Sequence, residues 1–361
     1  MWINPDGENS MLPRGRGGYV HSMVSDHRLH EPSAVEGNGS SDRGRSAEAP
    51  TDIPGSGWKD VFVRVRSESK DDGITLLSAG VAFYALLALV PGMVALVSLY
   101  GLVAKPSDVE RQVTSSLSAA PQEVRALVTA QLTSIVNSAG GGAVLGVIFG
   151  TLLALWSASS GVGHLIEAVN RAYDEHETRG FAKRKAISLA FTIGAILFVV
   201  VSFALIAVLP ALLAKSSLGT AGRIVVGVMR WVIMLVGMVV GLALLYRFGP
   251  DRDAPRWKWV TPGALIAAVA WVIGSLLFSF YTANFAKYNE TYGSLGAVVI
   301  MLLWLFLTAL VVIFGAEINC ELERQTTRDS TVGRPEPMGE RGAVAADTLG
   351  PTADELARQR R

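Results

Sequence analysis

Glu317 is the residue of this chain with the most chemistry to offer. It closes an uncharged apolar run, Ala297 to Ala316, of about 20 residues, long enough to cross the roughly 30 Å hydrocarbon core of a bilayer as a helix. Ionisable groups inside such runs are costly, which makes them functional candidates by default. Arg230, about two turns into an earlier apolar run, is the second. Its long stem lets it snorkel outward or reach a structural partner. The two stand toward opposite faces of the membrane, so they are not expected to pair. Arg171 or Arg247, at the inner ends of neighbouring runs, is the expected partner of Glu317. Glu167, Asn170, Arg171, Arg247, Glu317 and Asn319 are thus predicted to form one polar layer on the inner side. In its structural version the layer ties helix ends together; in its functional version it is an ion or proton path. On the outer side Tyr281, Asn284 or Phe285, Tyr288 and Tyr292 recur at steps of three and four, which on a continuing helix makes one stripe. That stripe is either a binding vestibule or an aromatic interface belt.

Other chemistries lack their residues. There is no phosphate-binding glycine loop ending in Lys-Ser/Thr, no His-Glu-x-x-His and no Gly-x-Ser-x-Gly. Asp71 and Asp72 are adjacent, so on a helix their side chains diverge. His164 has no second His or acid beside it at metal-ligand spacing and reads as a packing residue. His21, His27 and His30 lie in a polar, solvated stretch. The single Cys320 excludes an intramolecular disulfide and a cysteine-rich metal site. No catalytic, cofactor-binding or metal-binding residue is assigned, no cofactor is expected, and no nucleic-acid partner.

The elements that must position these residues follow from the distribution of apolar side chains. Half of the 361 residues are hydrophobic and 17% are charged, against about 25% charged in soluble domains. The apolar residues gather in continuous runs rather than alternating, which argues for helices and against a β-barrel. The fold class is all-α: a polytopic membrane protein with six spans, at Leu76 to Val103, Ala143 to about Leu165, Ile187 to Leu213, Ile224 to Leu245, Val260 to Phe285 and Leu295 to about Glu317. Pro91 sits inside the first and predicts a kink. The stretch from Ala104 to about Gly142 carries apolar residues at helical steps, interrupted at Ala120-Pro121, and predicts two amphipathic helices. Gly142, Gly146 and Gly150, and again Gly237 and Gly241, have the spacing that lets helices approach closely, within one chain or between copies in a homo-oligomer. Ser157 to His164 is a small, polar patch, read as packing or as an unwound binding segment. Trp58 to Gly73 suits an amphipathic segment on the inner membrane surface, with Trp257 and Trp259 as interface anchors.

Sixteen basic residues fall in the presumed inner segments against six in the outer loops, so both termini are predicted to be cytoplasmic. Residues 1–57 and 324–361 are rich in Gly, Ser, Pro, Arg and Glu and are expected to be disordered tails around a membrane domain of residues 58–323. No internal repeat of the kind found in inverted-repeat transporters is visible.

Several stretches together resemble one bacterial family. They are Asp71-Asp-Gly-Ile74, Ala79-Gly-Val-Ala-Phe-Tyr-Ala-Leu-Leu-Ala-Leu-Val-Pro91, Ala168-Val-Asn-Arg-Ala-Tyr173, Trp257-Lys-Trp-Val-Thr-Pro-Gly263, Tyr288-Asn-Glu-Thr-Tyr-Gly-Ser-Leu-Gly-Ala297 and Gly315-Ala-Glu-Ile-Asn319. The chain is similar here to the YihY/BrkB inner-membrane proteins, from about Trp58 to Glu323. The resemblance implies six spans in the bacterial cytoplasmic membrane and no established biochemical activity. Some members carry a virulence or serum-resistance label and others a former ribonuclease BN label. The ribonuclease label finds no metal-binding cluster and no folded basic RNA-binding domain in this sequence. Two functions are weighed: binding or transport of a small solute, ion or lipid in the bundle, and a non-transporting envelope scaffold. The lipid bilayer is the expected partner in both.

Overall fold

The computed structural model describes residues 42–103, 143–209, 219–284 and 294–359. The chain is all-α, and among the described residues there is no β-strand, only an isolated antiparallel bridge between Pro255 and Thr331. Six helices are long and apolar enough to cross a membrane. They are α2 (Ile74–Val103), α3 (Ala143–Ala172), α4 (Phe181–Phe203, continued by a π-helical turn at Ala204–Val208), α5 (Thr220–Phe248), α6 (Trp257–Asn284) and α7 (Ser294–Glu323). A shorter helix, α1 (Gly55–Asp71), precedes them, and α8 (Val344–Asp347) and α9 (Ala353–Gln359) follow. The two helices expected between Ala104 and Gly142, and the tyrosines Tyr288 and Tyr292, lie outside the described residues.

The sides of the spanning helices are solved for lipid rather than water. Phe149, Leu197, Leu276 and Phe280 are between 61% and 71% exposed. In water each such side chain would forgo about 1.5–3 kcal/mol of burial free energy. Hydrocarbon tails remove that cost, so an exposed apolar girdle is stable in a bilayer.

The buried core gathers instead at one end of the bundle, called here the basal end, which carries α1, the turns at 173–180 and 249–256, and residues 324–359. Ile166, Val169, Tyr173, Tyr246, Val260, Ile313, Ala316 and Cys320 form it, with Ala345 from the C-terminal segment. Within it α7 lies between α6 and α2, and α3 lies against α2. At the α6–α7 crossing there is no room for a Cβ. One at Gly263 would stand 2.2 Å from the Gly315 carbonyl oxygen, and one at Gly315 would stand 2.4 Å from Tyr246 Oη. Of the four-residue glycine repeats, a Cβ at Gly150 or Gly241 would meet nothing within 4 Å, whereas one at Gly237 would stand 3.2 Å from the Phe198 ring.

The helices reach farther toward the basal end than their apolar runs predict. Lys183–Lys185, which precede the expected span start at Ile187, lie in the first turns of α4. Long basic side chains are good helix formers and hold their charges clear of an apolar surface. The true stop of α3 is a local hydrogen-bond motif. Glu175 N donates to Asn170 O at 2.9 Å and Asp174 N to Arg171 O at 3.0 Å, with Asp174 left-handed at φ 57°. Between α1 and α2 the break is Gly73, at φ +63°, a conformation that costs glycine little.

Residues 1–41 of the expected N-terminal tail lie outside the described residues. Residues 42–53 and 324–359 fold against each other and onto the basal end. Thr327 N donates to Arg45 O at 2.8 Å, Thr326 Oγ1 to Ala47 O at 2.6 Å and Gln325 Nε2 to Arg43 O at 2.6 Å. These segments are held by hydrogen bonds and by small alanines such as Ala47, Ala345 and Ala346 rather than by large apolar residues. The helix at Trp58 to Gly73 differs from the expected surface segment. Its inward stripe holds Asp60, Val61, Arg64 and Val65, all buried against α7 and the C-terminal segment. Trp259, expected as an interface anchor, is only 1% exposed and packs with Val61, Val65, Ile318 and Leu322.

Candidate functional site

The site is built where α1 meets the last turns of α7. Glu317, Glu321 and Arg324 are spaced i, i+4, i+7, so they share one face of α7. Arg64, Glu68 and Asp72 are four apart on α1 and its cap. The two stripes face each other as a ladder of charges. At its outermost rung Arg64 and Glu321 are both fully buried. Arg64 Nε donates to the Glu321 carboxylate, Nη2 to the Glu321 carbonyl at 2.8 Å and Nη1 to the Pro351 carbonyl at 3.0 Å. Every nitrogen of this guanidinium is therefore engaged. Next comes Arg324, whose Nη1 lies 2.8 Å from Glu321 Oε1, 3.6 Å from Asp174 Oδ2 and 3.7 Å from Glu68 Oε1.

The rung on the membrane side lacks a matching cation. Glu317 is 1% exposed, and its Oε2 is buried without a hydrogen-bond partner. The charged groups that bear on it most are themselves acids: Glu321 first, then Asp72, Glu68 and Asp174. A buried acceptor left unpaired costs about 1–3 kcal/mol, more if it is charged. Among the facing acids the side chain of Asp174 is 42% exposed, that of Glu68 31% and that of Asp72 16%, with Arg171 4.0 Å from Asp72. Its carboxyl is pushed up to about 6 by burial and by Asp174, with Arg171 opposing. Burial likewise raises Glu68, against the pull of Arg324.

The chain matches the family described as Virulence factor BrkB over residues 65–339. The chain belongs to the BrkB family. The BrkB-family chain is 30% identical over 256 residues to the ribonuclease-like protein YfkH of Bacillus subtilis, covering 69% of this chain and 90% of that protein. It is 28% identical over 274 residues to a UPF0761 membrane protein of Alteromonas mediterranea, covering 73% of this chain and 88% of the relative. A UPF0761 membrane protein of Idiomarina loihiensis is 30% identical over 110 residues, covering 30% of this chain and 37% of that protein. No solved structure matches.

In this BrkB-family chain the predicted polar layer divides into ties and one exception. Asn319 is a clip: its Oδ1 accepts from Gly263 N at 2.8 Å and its Nδ2 donates to Val260 O at 3.1 Å. It thereby holds the first turns of α6, where Pro262 supplies no N–H. Asn170 joins two basal turns, donating to Glu177 Oε2 at 3.0 Å and accepting from Asp251 N at 2.8 Å. Glu167 is exposed, 3.6 Å from Arg184 and 3.7 Å from His164. Neither expected partner of Glu317 is paired with it. Arg171 is mostly exposed beside Asp72, and Arg247 donates to the Pro255 carbonyl with its guanidinium 4.5 Å from the Trp257 ring centre. Glu317 remains the exception.

Elsewhere, Arg230 is half-buried in α5, with its guanidinium 5.6 Å from the Trp231 ring centre and a buried Nε that has no partner among the described residues. The Ser157–His164 patch is regular helix. Gly161 lies close against Ala88, and His164 stacks on Tyr84 at 3.7 Å. Pro91 lies within α2, which continues on both sides of it.

Sequence reading missed Glu68, Asp174, Glu321 and Arg324. The i, i+4, i+7 spacing of Glu317, Glu321 and Arg324 was the available signal. Asp174 depends on where α3 stops and left none. A second buried pair, Arg252 with Glu323 at 2.7 Å, is also a tie, completed by Ser330 Oγ donating to Glu323 at 2.6 Å.

Proposed function

We propose that this membrane protein binds and moves a small ion through the basal half of its six-helix bundle, with Glu317 as the binding group. The observation that carries this is the Glu317 carboxylate, buried within the membrane-side rung with an unpartnered oxygen and acids facing it. Such a group attracts a cation or a proton and repels an anion. The concentration of basic residues at the basal end supports a cytoplasmic orientation of that end in a bacterial inner membrane. No catalytic step is assigned to the chain.

A second reading, a non-transporting envelope scaffold, is favoured by the ties. Asn170, Asn319, Arg64 and Arg252 all serve to hold elements together. Flux from reconstituted vesicles separates the two. Ion-specific dyes for protons, sodium and potassium should show release above protein-free vesicles for at least one cation. Vesicles as tight with the protein as without it would favour the scaffold.

A further inference from the structure

We propose that the basal seam between α3 and α4 binds an anionic phospholipid, with Lys185 holding its phosphate. The proposal is independent of Glu317 and of ion movement.

Lys185 stands one turn inside the spanning part of α4, and Trp156 stands within that of α3. Lys185 Nζ donates to the Trp156 carbonyl at 2.7 Å and lies 4.4 Å from the centre of the Trp156 ring. Phe181, four residues before Lys185 and so on the same face of α4, brings its ring to 6.1 Å from that of Trp156. The Phe181 and Trp156 side chains are 73% and 45% exposed. They continue the apolar girdle that faces lipid, so the ammonium sits at the boundary of protein, acyl chains and headgroups.

What the ammonium lacks is an anion. A carbonyl and a ring face orient it but carry no net charge. Among the described residues Lys185 has no carboxylate in ion-pair range. The acid of this seam, Glu167, lies 3.6 Å from Arg184 and 3.7 Å from His164. A cation on a lipid-facing surface is costly without a counter-charge, and the Trp156 carbonyl takes only one of the three ammonium hydrogens. The anion that reaches this surface from the bilayer is a headgroup phosphate. Lys183 and Arg184, both exposed in the first turns of α4, add positive charge and favour a lipid of net negative charge over a zwitterionic one. The two rings offer an apolar wall for its acyl chains. Free phosphate would satisfy the ammonium and leave that wall unused. A phosphatidylglycerol-type lipid, with one phosphodiester and two chains, fits both.

The test is native mass spectrometry of the full chain, delipidated in detergent and titrated with phosphatidylglycerol or phosphatidylethanolamine of matched chains. Wild type should bind phosphatidylglycerol more tightly. Lys185→Gln keeps a donor for the Trp156 carbonyl but removes the charge. It should weaken phosphatidylglycerol by roughly 10-fold, the low end of what a charge-assisted hydrogen bond contributes, and leave phosphatidylethanolamine within a few-fold of wild type. Lys185→Arg should bind phosphatidylglycerol within a few-fold of wild type. Lys258→Gln, at an exposed lysine in the first turn of α6, should bind it as wild type does. Equal binding of the two lipids by wild type would overturn the proposal, as would equal phosphatidylglycerol binding by wild type and Lys185→Gln. A loss in Lys258→Gln as large as in Lys185→Gln would replace the site with general attraction to a basic surface. Displacement of phosphatidylglycerol by excess inorganic phosphate would make it a free-phosphate site. Should Lys185→Gln fail to fold, the double variant Lys183→Gln, Arg184→Gln should lower the preference for phosphatidylglycerol by roughly 5-fold or more, and an unchanged preference would overturn the proposal.

Discussion

Arg64 and Glu321 stand 257 positions apart in the chain and form a salt bridge whose two side chains are both fully buried. The bond fixes α1 onto the last turn of α7 and, through the Arg64 contact with the Pro351 carbonyl, binds the C-terminal segment to the same point. The ladder of charges that ends at Glu317 is positioned by it.

Removing Glu321 should therefore cost more than removing Arg64. Glu321→Leu leaves Arg64 buried with carbonyls but no anion, and takes from Arg324 its nearest carboxylate at 2.8 Å. The expected loss is about 3–5 kcal/mol. Arg64→Met leaves Glu321 still paired with Arg324 and should lose less. The double variant Arg64→Met, Glu321→Leu should recover part of the loss. Thermal unfolding of the detergent-solubilised protein measures all three. Equal losses in the two single variants would contradict this ordering.

The Asn319 clip is the second structural test. Asn319→Leu leaves the buried Gly263 N–H and Val260 carbonyl unpaired, at about 1–3 kcal/mol for each group left unsatisfied. Gly315→Ala should be at least as damaging, because its Cβ would stand 2.8 Å from Ala267 Cβ and 2.4 Å from Tyr246 Oη. The same melts report both. Wild-type stability in Gly315→Ala would show that α6 and α7 do not approach so closely.

Asp72 predicts a pH dependence of stability. Its folded-state value of about 6 lies above its ordinary 3.8, so the folded protein holds that proton more tightly than the unfolded chain. The contribution to stability is full below the ordinary value and lost as pH rises through about 6. Asp72→Asn should accordingly melt above wild type at about pH 8, with the difference closing below about pH 4. A difference of the opposite sign would mean that Asp72 is stabilised as a carboxylate.

The C-terminal segment should resist protease while the protein is folded. Arg341 is 5% exposed and donates to the carbonyls of Ala346 at 2.7 Å, Thr327 at 2.8 Å and Glu336 at 3.1 Å. Trypsin should cleave after Arg341 only as fast as the segment opens. Immediate cleavage in native conditions, followed by mass spectrometry, would contradict the docked arrangement.

The sequence made the spans legible because lipid imposes a simple rule: about 20 apolar residues and a self-satisfied backbone. Glu317 was legible by the same rule, as an acid in the wrong solvent. Its surroundings were not. Arg64 and Glu321 meet across 257 residues, and no local pattern connects them. Asp72 read as half of a diverging pair with Asp71, because the acid that bears on it, Asp174, comes from the turn after α3. Asn319 read as a member of a polar layer, either a tie or part of an ion path, because an amide on a spanning helix looks the same in sequence whether it binds a ligand or a neighbouring backbone. Residues 42–53 and 324–359 are short of large apolar side chains, and the hydrogen bonds that join them, such as Thr327 N to Arg45 O at 2.8 Å, leave no trace in composition.

The most direct test of the central claim is voltage-driven cation uptake into vesicles. Purified protein is reconstituted, a potassium diffusion potential is applied, and trapped dyes for protons and for sodium are followed for wild type and Glu317→Gln. Wild type should take up at least one of the two faster than protein-free vesicles, and Glu317→Gln, folded and equally well incorporated, should fall to the protein-free rate. Equal rates in wild type and Glu317→Gln would contradict the account and leave Glu317 as one more buried residue of the bundle.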